Sequence, residues 1–273
     1  MEVIVITPRL SEAPSDLRVA VDKLIALPYV QGLVLVGSRS RGYHEQQSDF
    51  DLEVIVDDVF YETLAPLKRL MLVWEGLPFK SRLIGDIYTI SRTQMENKRA
   101  SVVDVDHWPY EVAGIWYDRD GQIAPLIAAL GAFPEAIWAE RVNVHHVDFW
   151  YHVGRGKKIA PRASRLNYGL VLTRAIHAYI KFIFVLNRRW PPLVHWAEQA
   201  IQQTKLPLRP ANDIELLTQA LTTLDLAPLE TLAAELPALL DEVGLTLHQE
   251  RLTQLVEVLG PTYDKARESW SRY

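Results

Sequence analysis

The sequence predicts a small α/β domain with a mixed sheet, followed by an all-α helical bundle domain. Three observations carry that prediction. The first part of the chain alternates strand-like and helix-like apolar patterns. Within it, Val36–Val56 (VGSRSRGYHEQQSDFDLEVIV) places a Gly-Ser pair, two arginines and an i, i+2 pair of aspartates between two apolar strands. From Ile123 onward strand alternation disappears and only helical spacing remains.

Taken in order, residues 14–27 read as an amphipathic helix. Ser15 is the predicted N-cap, and Leu17, Val21, Leu24 and Ile25 recur at helical spacing. Residues 32–36 and 50–56 read as strands. Tyr61–Trp74 reads as a second helix and Arg82–Ser91 as a third strand. Ala113–Tyr117 reads as another strand, followed by an Asp118-Arg119-Asp120-Gly121 turn. Helices are predicted at 123–130, 134–153, 162–187, 191–203, 212–223, 228–242 and 246–258. The domain junction is placed near 122, giving domains 1–122 and 123–273.

Composition narrows the function classes. The chain has 273 residues and no cysteine, which excludes disulfides, thiolate metal sites and a thiol nucleophile. Its net charge of −5 argues against a general nucleic-acid surface. No basic region followed by an apolar run opens the chain. The longest apolar candidate, Ala175–Leu186, is interrupted by His177 and Lys181 and falls short of the ~18 residues of a spanning helix. A soluble, cytoplasmic protein without a membrane partner is the expectation.

The motif carries chemistry. In a strand, alternate side chains share a face. Asp49 and Asp51 therefore project together, while Phe50 and Leu52 point into a core. Two carboxylates on one face repel unless a cation lies between them. Hard oxygen ligands suit Mg²⁺, which completes its shell with waters and substrate phosphates. Upstream, Gly37-Ser38 allows close approach of backbone N–H groups and a hydroxyl to a phosphate. This layout suits work on a nucleoside triphosphate.

Gly37-Ser38-Arg39-Ser40-Arg41-Gly42, followed by Ser48-Asp49-Phe50-Asp51-Leu52, resembles the GS-x-x-RG … SD-x-D pattern of the DNA polymerase β-like nucleotidyltransferases. The likeness is to the small bacterial branch that includes minimal and aminoglycoside nucleotidyltransferases, and covers residues 33–91 at most. It implies Mg²⁺-dependent transfer of a nucleoside monophosphate from an NTP, such as ATP, to a hydroxyl of a small-molecule acceptor, with a two-metal site. It also implies a third carboxylate on the following strand, for which Asp86 is the candidate as ligand and general base. Gly37, Ser38 and Arg41 would bind the triphosphate, Arg41 being favoured because the pattern places an arginine just before the second glycine. The same resemblance implies a lysine from the helical domain closing over the phosphates, and an acceptor held in the cleft between the domains. Two other readings are an antitoxin-type protein AMP-transferase, disfavoured by the long second domain, and an inactive nucleotide-binding module, disfavoured by the intact carboxylate pair.

Remaining candidates come from the residues themselves. Asn167, Arg174, Lys181 and Arg188 recur every seven residues and predict a polar stripe, with Lys181 the candidate phosphate contact. Glu53 shares the Asp49 and Asp51 face by alternation. Asp104 and Asp106 form a further i, i+2 pair, expected in a loop. His145, His146, Asp148 and His152 lack a recognised metal spacing and read as a helix face. Trp108, Tyr110, Trp150 and Trp190 could stack on a ring, although core packing is their commoner role.

Overall fold

The computed structural model describes residues 10–45, 48–65 and 87–245. The chain divides into two compact units, Met1–Ala132 and Phe133–Tyr273.

The first unit is built on a four-stranded sheet in the order β3-β2-β1-β4. Helix α1 (Ser15–Ile25) leads into β1 (Val30–Val36), and a one-turn helix α2 (Gly37–Arg41) follows. β2 (Asp51–Val56) runs antiparallel to β1, with Val36 opposite Asp51 and Val34 opposite Glu53. Asp57 caps α3 (Asp58–Thr63) by accepting from Phe60 N at 2.7 Å. β3 (Ile87–Ser91) lies parallel to β2. Helix α4 (Arg92–Lys98), a 3₁₀ turn at Trp108–Val112, β4 (Gly114–Asp118) and α5 (Ile123–Gly131) complete the unit. β4 pairs antiparallel with the free edge of β1.

Each sheet face has its own core. Leu33, Leu35, Leu52, Val54 and Val56 pack against Leu17, Val21 and Leu24 of α1. Val34, Val36 and Ile55 pack on the other side against Met95, Tyr110, Ile123, Ile127 and Leu130. The second face explains where the units divide. α5 carries no strand pattern, yet it covers the sheet, so the division falls at 132/133 rather than near 122.

Several sequence expectations shift in detail. Pro14, not Ser15, is the N-cap of α1, and Ser15 is its first helical residue. The predicted helix from Tyr61 begins instead at Asp58 and stops at Thr63, where Leu64 turns extended. Its continuation to Trp74 lies outside the described residues, as do residues 82–86 of the predicted third strand and the predicted helix 246–258. The expected GSRSRG loop is a helical turn. Gly37 enters it at φ 73° and Gly42 leaves it at φ 73°, a region closed to most side chains. α4 was not predicted, though its capping box, Ser91 with Gln94, stands in the sequence.

The second unit is helical throughout its described residues. α6 (Trp138–Ile159) and α7 (Arg165–Leu186) form an antiparallel hairpin, since Trp138 at the start of α6 donates Nε1–H to Val185 O at the end of α7, 2.9 Å away. Phe149 meets Tyr179 edge-on between them. α8 (Ala197–Gln203), α9 (Asp213–Thr223) and α10 (Ala227–Glu242) follow. Tyr179 donates to the buried Asp213, whose charge is paired with Arg209. α7 is long and apolar enough to cross a membrane by length and composition alone, and more than half of its apolar stretch is buried inside this unit.

Two predictions arise from packing. A Cβ added at Gly131 would come within 2.5 Å of Tyr110 O and 2.9 Å of Glu111 Cα. Backbone cannot yield as a side chain tip does. Gly131→Ala is therefore expected to destabilise the first unit by about 1–3 kcal/mol, read from denaturant unfolding. In the second unit, burial holds the His146 imidazole down to about 4. Burial, then the charges of Arg141 and Lys181, holds His145 well below its usual range. These rings stay neutral when folded but take up protons near pH ~6.5 when unfolded. Their stabilising contribution is complete above that pH and is lost as pH falls toward about 4. Urea midpoints measured at neutral and mildly acid pH should fall with acidity, and His146→Phe should flatten the slope.

Candidate active site

The site begins where β1 gives way to α2. Val36 pairs with Asp51 across the sheet, and Gly37 is the next residue. A Cβ at Gly37 would sit 1.9 Å from Asp51 Oδ2. The backbone therefore lies directly against the carboxylate, which explains the glycine twice over, by conformation and by contact. α2 is closed below by Tyr43 N donating to Ser38 O at 2.9 Å, and Ser40 Oγ donates to Gly37 O at 2.9 Å. Ser38 itself is buried. Along the acidic segment, Phe50 and Leu52 are buried while Asp49, Asp51 and Glu53 are half-exposed, as strand alternation requires.

The two arginines of the motif have separate tasks. Arg39 donates Nε–H to Ser48 O at 3.1 Å and to Asp49 O at 2.9 Å, and its guanidinium lies 4.1 Å over the Phe50 ring. It ties α2 to the backbone that presents Asp49. Arg41 was expected to bind phosphate. Its side chain is instead turned inward and only 2% exposed, 3.5 Å from Glu111 Oε2 and 3.9 Å over the Trp108 ring. It also donates to Trp108 O. Its charge is spent inside the protein, so Arg41 braces the motif from beneath.

Glu53, one pleat along from Asp51, is held the same way. Tyr110 Oη donates to its carboxylate at 2.8 and 3.0 Å. Lys98 Nζ donates to that phenol oxygen at 2.5 Å and stands 3.6 Å from Glu53 Oε1. Burial, then the Glu53 charge, pushes the Tyr110 phenol well above its usual range, so it keeps the proton it donates. Trp108, Tyr110 and Glu111 thus reach both halves of the motif from one 3₁₀ turn. Trp108 and Tyr110 were read as possible stacking residues. Both are buried in this bracing role, and Lys98 and Glu111 were not foreseen.

Two carboxylates beside a backbone glycine fit a hard divalent cation, and Asp49 and Asp51 would hold it. Asp86, the proposed third, lies outside the described residues. Among the described residues no group of three or more His, Asp or Glu side chains gathers to hold a metal ion. Lys181 is in the helical unit, half-buried, and its charge helps keep His145 and His177 neutral. The polar stripe does not extend to Arg188. α7 ends at Leu186, and Arg188 adopts φ 56°, bonding Glu135 at 2.8 Å and stacking 3.8 Å over Trp138. His145, His146 and His152 are buried on α6, with His152 3.4 Å from Asp148. Asp104 and Asp106 lie in a 3₁₀ turn, where Asp106 accepts from Ser101 at 2.5 Å.

Comparison with known proteins agrees with this geometry. Residues 17–111 match the family described as nucleotidyltransferase domain. This match supports, at the level of the nucleotidyltransferase superfamily, the resemblance read from the motif. Residues 110–197 match a domain of unknown function, DUF4037. Among solved structures, a nucleotidyltransferase-like protein from Exiguobacterium sibiricum 255-15 is similar at 18% identity, over 91% of this chain and 88% of that chain, with a TM-score of 0.44. No curated protein matches.

Arg41→Ala should destabilise the first unit by about 3–5 kcal/mol, because it removes the buried guanidinium that pairs with Glu111 and packs on Trp108. Combining it with Glu111→Leu should recover much of that loss. Thermal unfolding of the single and double variants measures both.

Proposed function

We propose that the protein is a Mg²⁺-dependent nucleotidyltransferase that moves a nucleoside monophosphate from an NTP to a hydroxyl of a small-molecule acceptor. The observation that carries this reading is the contact between the Gly37 backbone and the Asp51 carboxylate. It sets a cation-binding carboxylate beside the first turn of α2, where N–H groups have no acceptor within the helix. A triphosphate could meet both at once. Asp49 and Asp51 would hold Mg²⁺, which when bound would polarise the α-phosphate and stabilise the leaving pyrophosphate. Gly37 and Ser38 would orient the phosphates through their backbone N–H groups. Asp86, if it completes the site, would take the proton of the attacking hydroxyl. Arg39 and Arg41 act from outside the reacting atoms, by holding the backbone on which these groups stand.

The acceptor class rests on the resemblance to aminoglycoside nucleotidyltransferases and on the net charge of −5, which favours a cationic partner. The test is pyrophosphate release with Mg²⁺ and each of the four NTPs, with and without a panel of aminoglycosides and simpler polyols. Turnover that needs both metal and acceptor supports the reading. Asp49→Asn and Asp51→Asn should each abolish release while leaving the melting temperature equal or higher, since each removes a repelling charge. Turnover above a few per cent in the double variant would reject the carboxylate mechanism.

A further inference from the structure

The acidic face of β2 carries more charge than a single cation site needs. Asp51 and Glu53 follow one another on that face, about 7 Å apart by strand geometry. Both project from the strand that opens on the motif. Glu53 nevertheless does not join Asp49 and Asp51 in a metal-holding group. Its carboxylate is 14% exposed and faces the Tyr110 hydroxyl, with the Lys98 ammonium behind it. The hydrogen bonds run one way. A tyrosine hydroxyl has a single proton, which goes to Glu53, and its oxygen accepts from Lys98. The 5.0 Å approach of Lys98 Nζ to the Tyr110 ring adds a second restraint on the lysine. A carboxylate, a phenol and an ammonium thus form a neutral set on the strand that carries Asp51.

We propose that Lys98 is a positioning residue that cancels the charge of Glu53, so that the cation is bound by Asp49 and Asp51 alone. This rests on the nucleotidyltransferase reading above. Lys98 does not touch the reacting atoms. It acts through Glu53 and Tyr110, from a helix whose capping box, Ser91 with Gln94, sets its start at the end of β3. Without Lys98 the strand would present a third negative charge, and the cation would be held too tightly and drawn along the strand toward Glu53.

The signs of three variants test this, with Mn²⁺ as the probe and its binding to the full-length protein followed by electron paramagnetic resonance. Lys98→Met should bind Mn²⁺ about three- to ten-fold more tightly, because an uncompensated carboxylate then lies near the cation. Glu53→Gln should bind it more weakly by a similar factor, because Lys98 is then uncompensated. The double variant should return close to wild type. A merely structural role for Lys98 predicts weaker or unchanged binding in all three. Unchanged or weaker binding in Lys98→Met therefore overturns the proposal. If that variant does not fold, the comparison passes to Glu53→Gln and the double variant, and failure of the second to restore what the first loses overturns it. Wild-type Mn²⁺ binding that Asp51→Asn leaves intact would overturn the underlying cation site and this proposal with it. Binding lost in Asp51→Asn but unmoved by the Lys98 and Glu53 changes would overturn the proposal alone.

Discussion

The contact of Asp51 with the backbone at Gly37 is the constraint on which the rest of the first unit depends. It exists only in one register of β1 on β2. A slip of one residue would exchange the two sheet faces and send Asp51 into the core occupied by Leu52 and Val54. The apolar pattern on both strands forbids that slip. Packing of the sheet thus decides which side chain meets the turn, and the turn in turn admits only a residue without a Cβ. Core and site are the same piece of structure, seen from two sides.

Charge is handled with equal economy around this contact. Asp49, Asp51 and Glu53 lie with two arginines, Arg39 and Arg41, in one short stretch. Arg39 is consumed by backbone carbonyls, Arg41 by Glu111 and Trp108, and Glu53 by Lys98 and Tyr110. What remains half-exposed on the strand end is the Asp49 and Asp51 pair. The arginines look from their position like ligand-binding residues, and both also make contacts within the protein that tie the motif down.

The division between what the sequence revealed and what it concealed follows interaction range. Strands β1, β2 and β4 and most helices were legible because they depend on local periodicity. The carboxylate pair and the Gly-Ser step were legible because their spacing is short. The inward contact of Arg41 was not legible because its partner, Trp108, lies 67 residues away, and no local pattern announces such a pair. Arg188 was misplaced because heptad counting ignores where a helix ends. Asn187 stops α7 by bonding Ile183 O and the backbone of Leu208. The contact division at 132/133, ten residues beyond the expected junction near 122, was hidden for a related reason. A helix that covers a sheet has the same periodicity as one in a bundle, and only its contacts tell them apart. Lys98 escaped notice although the capping box that precedes it was readable.

The sheet order has a consequence for where the chain can be cut. The nucleotidyltransferase match ends at 111 and the second match begins at 110, both within the turn Trp108–Val112. Yet β4 and α5, which come after that point, pair with β1 and cover one face of its sheet. The first matched segment, cut at its own boundary, would leave β1 as a bare edge and Val34, Val36 and Ile55 uncovered, an invitation to edge-to-edge association. The two segments are therefore not interchangeable cassettes. A piece that is to fold by itself has to carry β4 and α5 along with the strands they complete, so the folding unit is wider than the stretch that bears the recognisable signature.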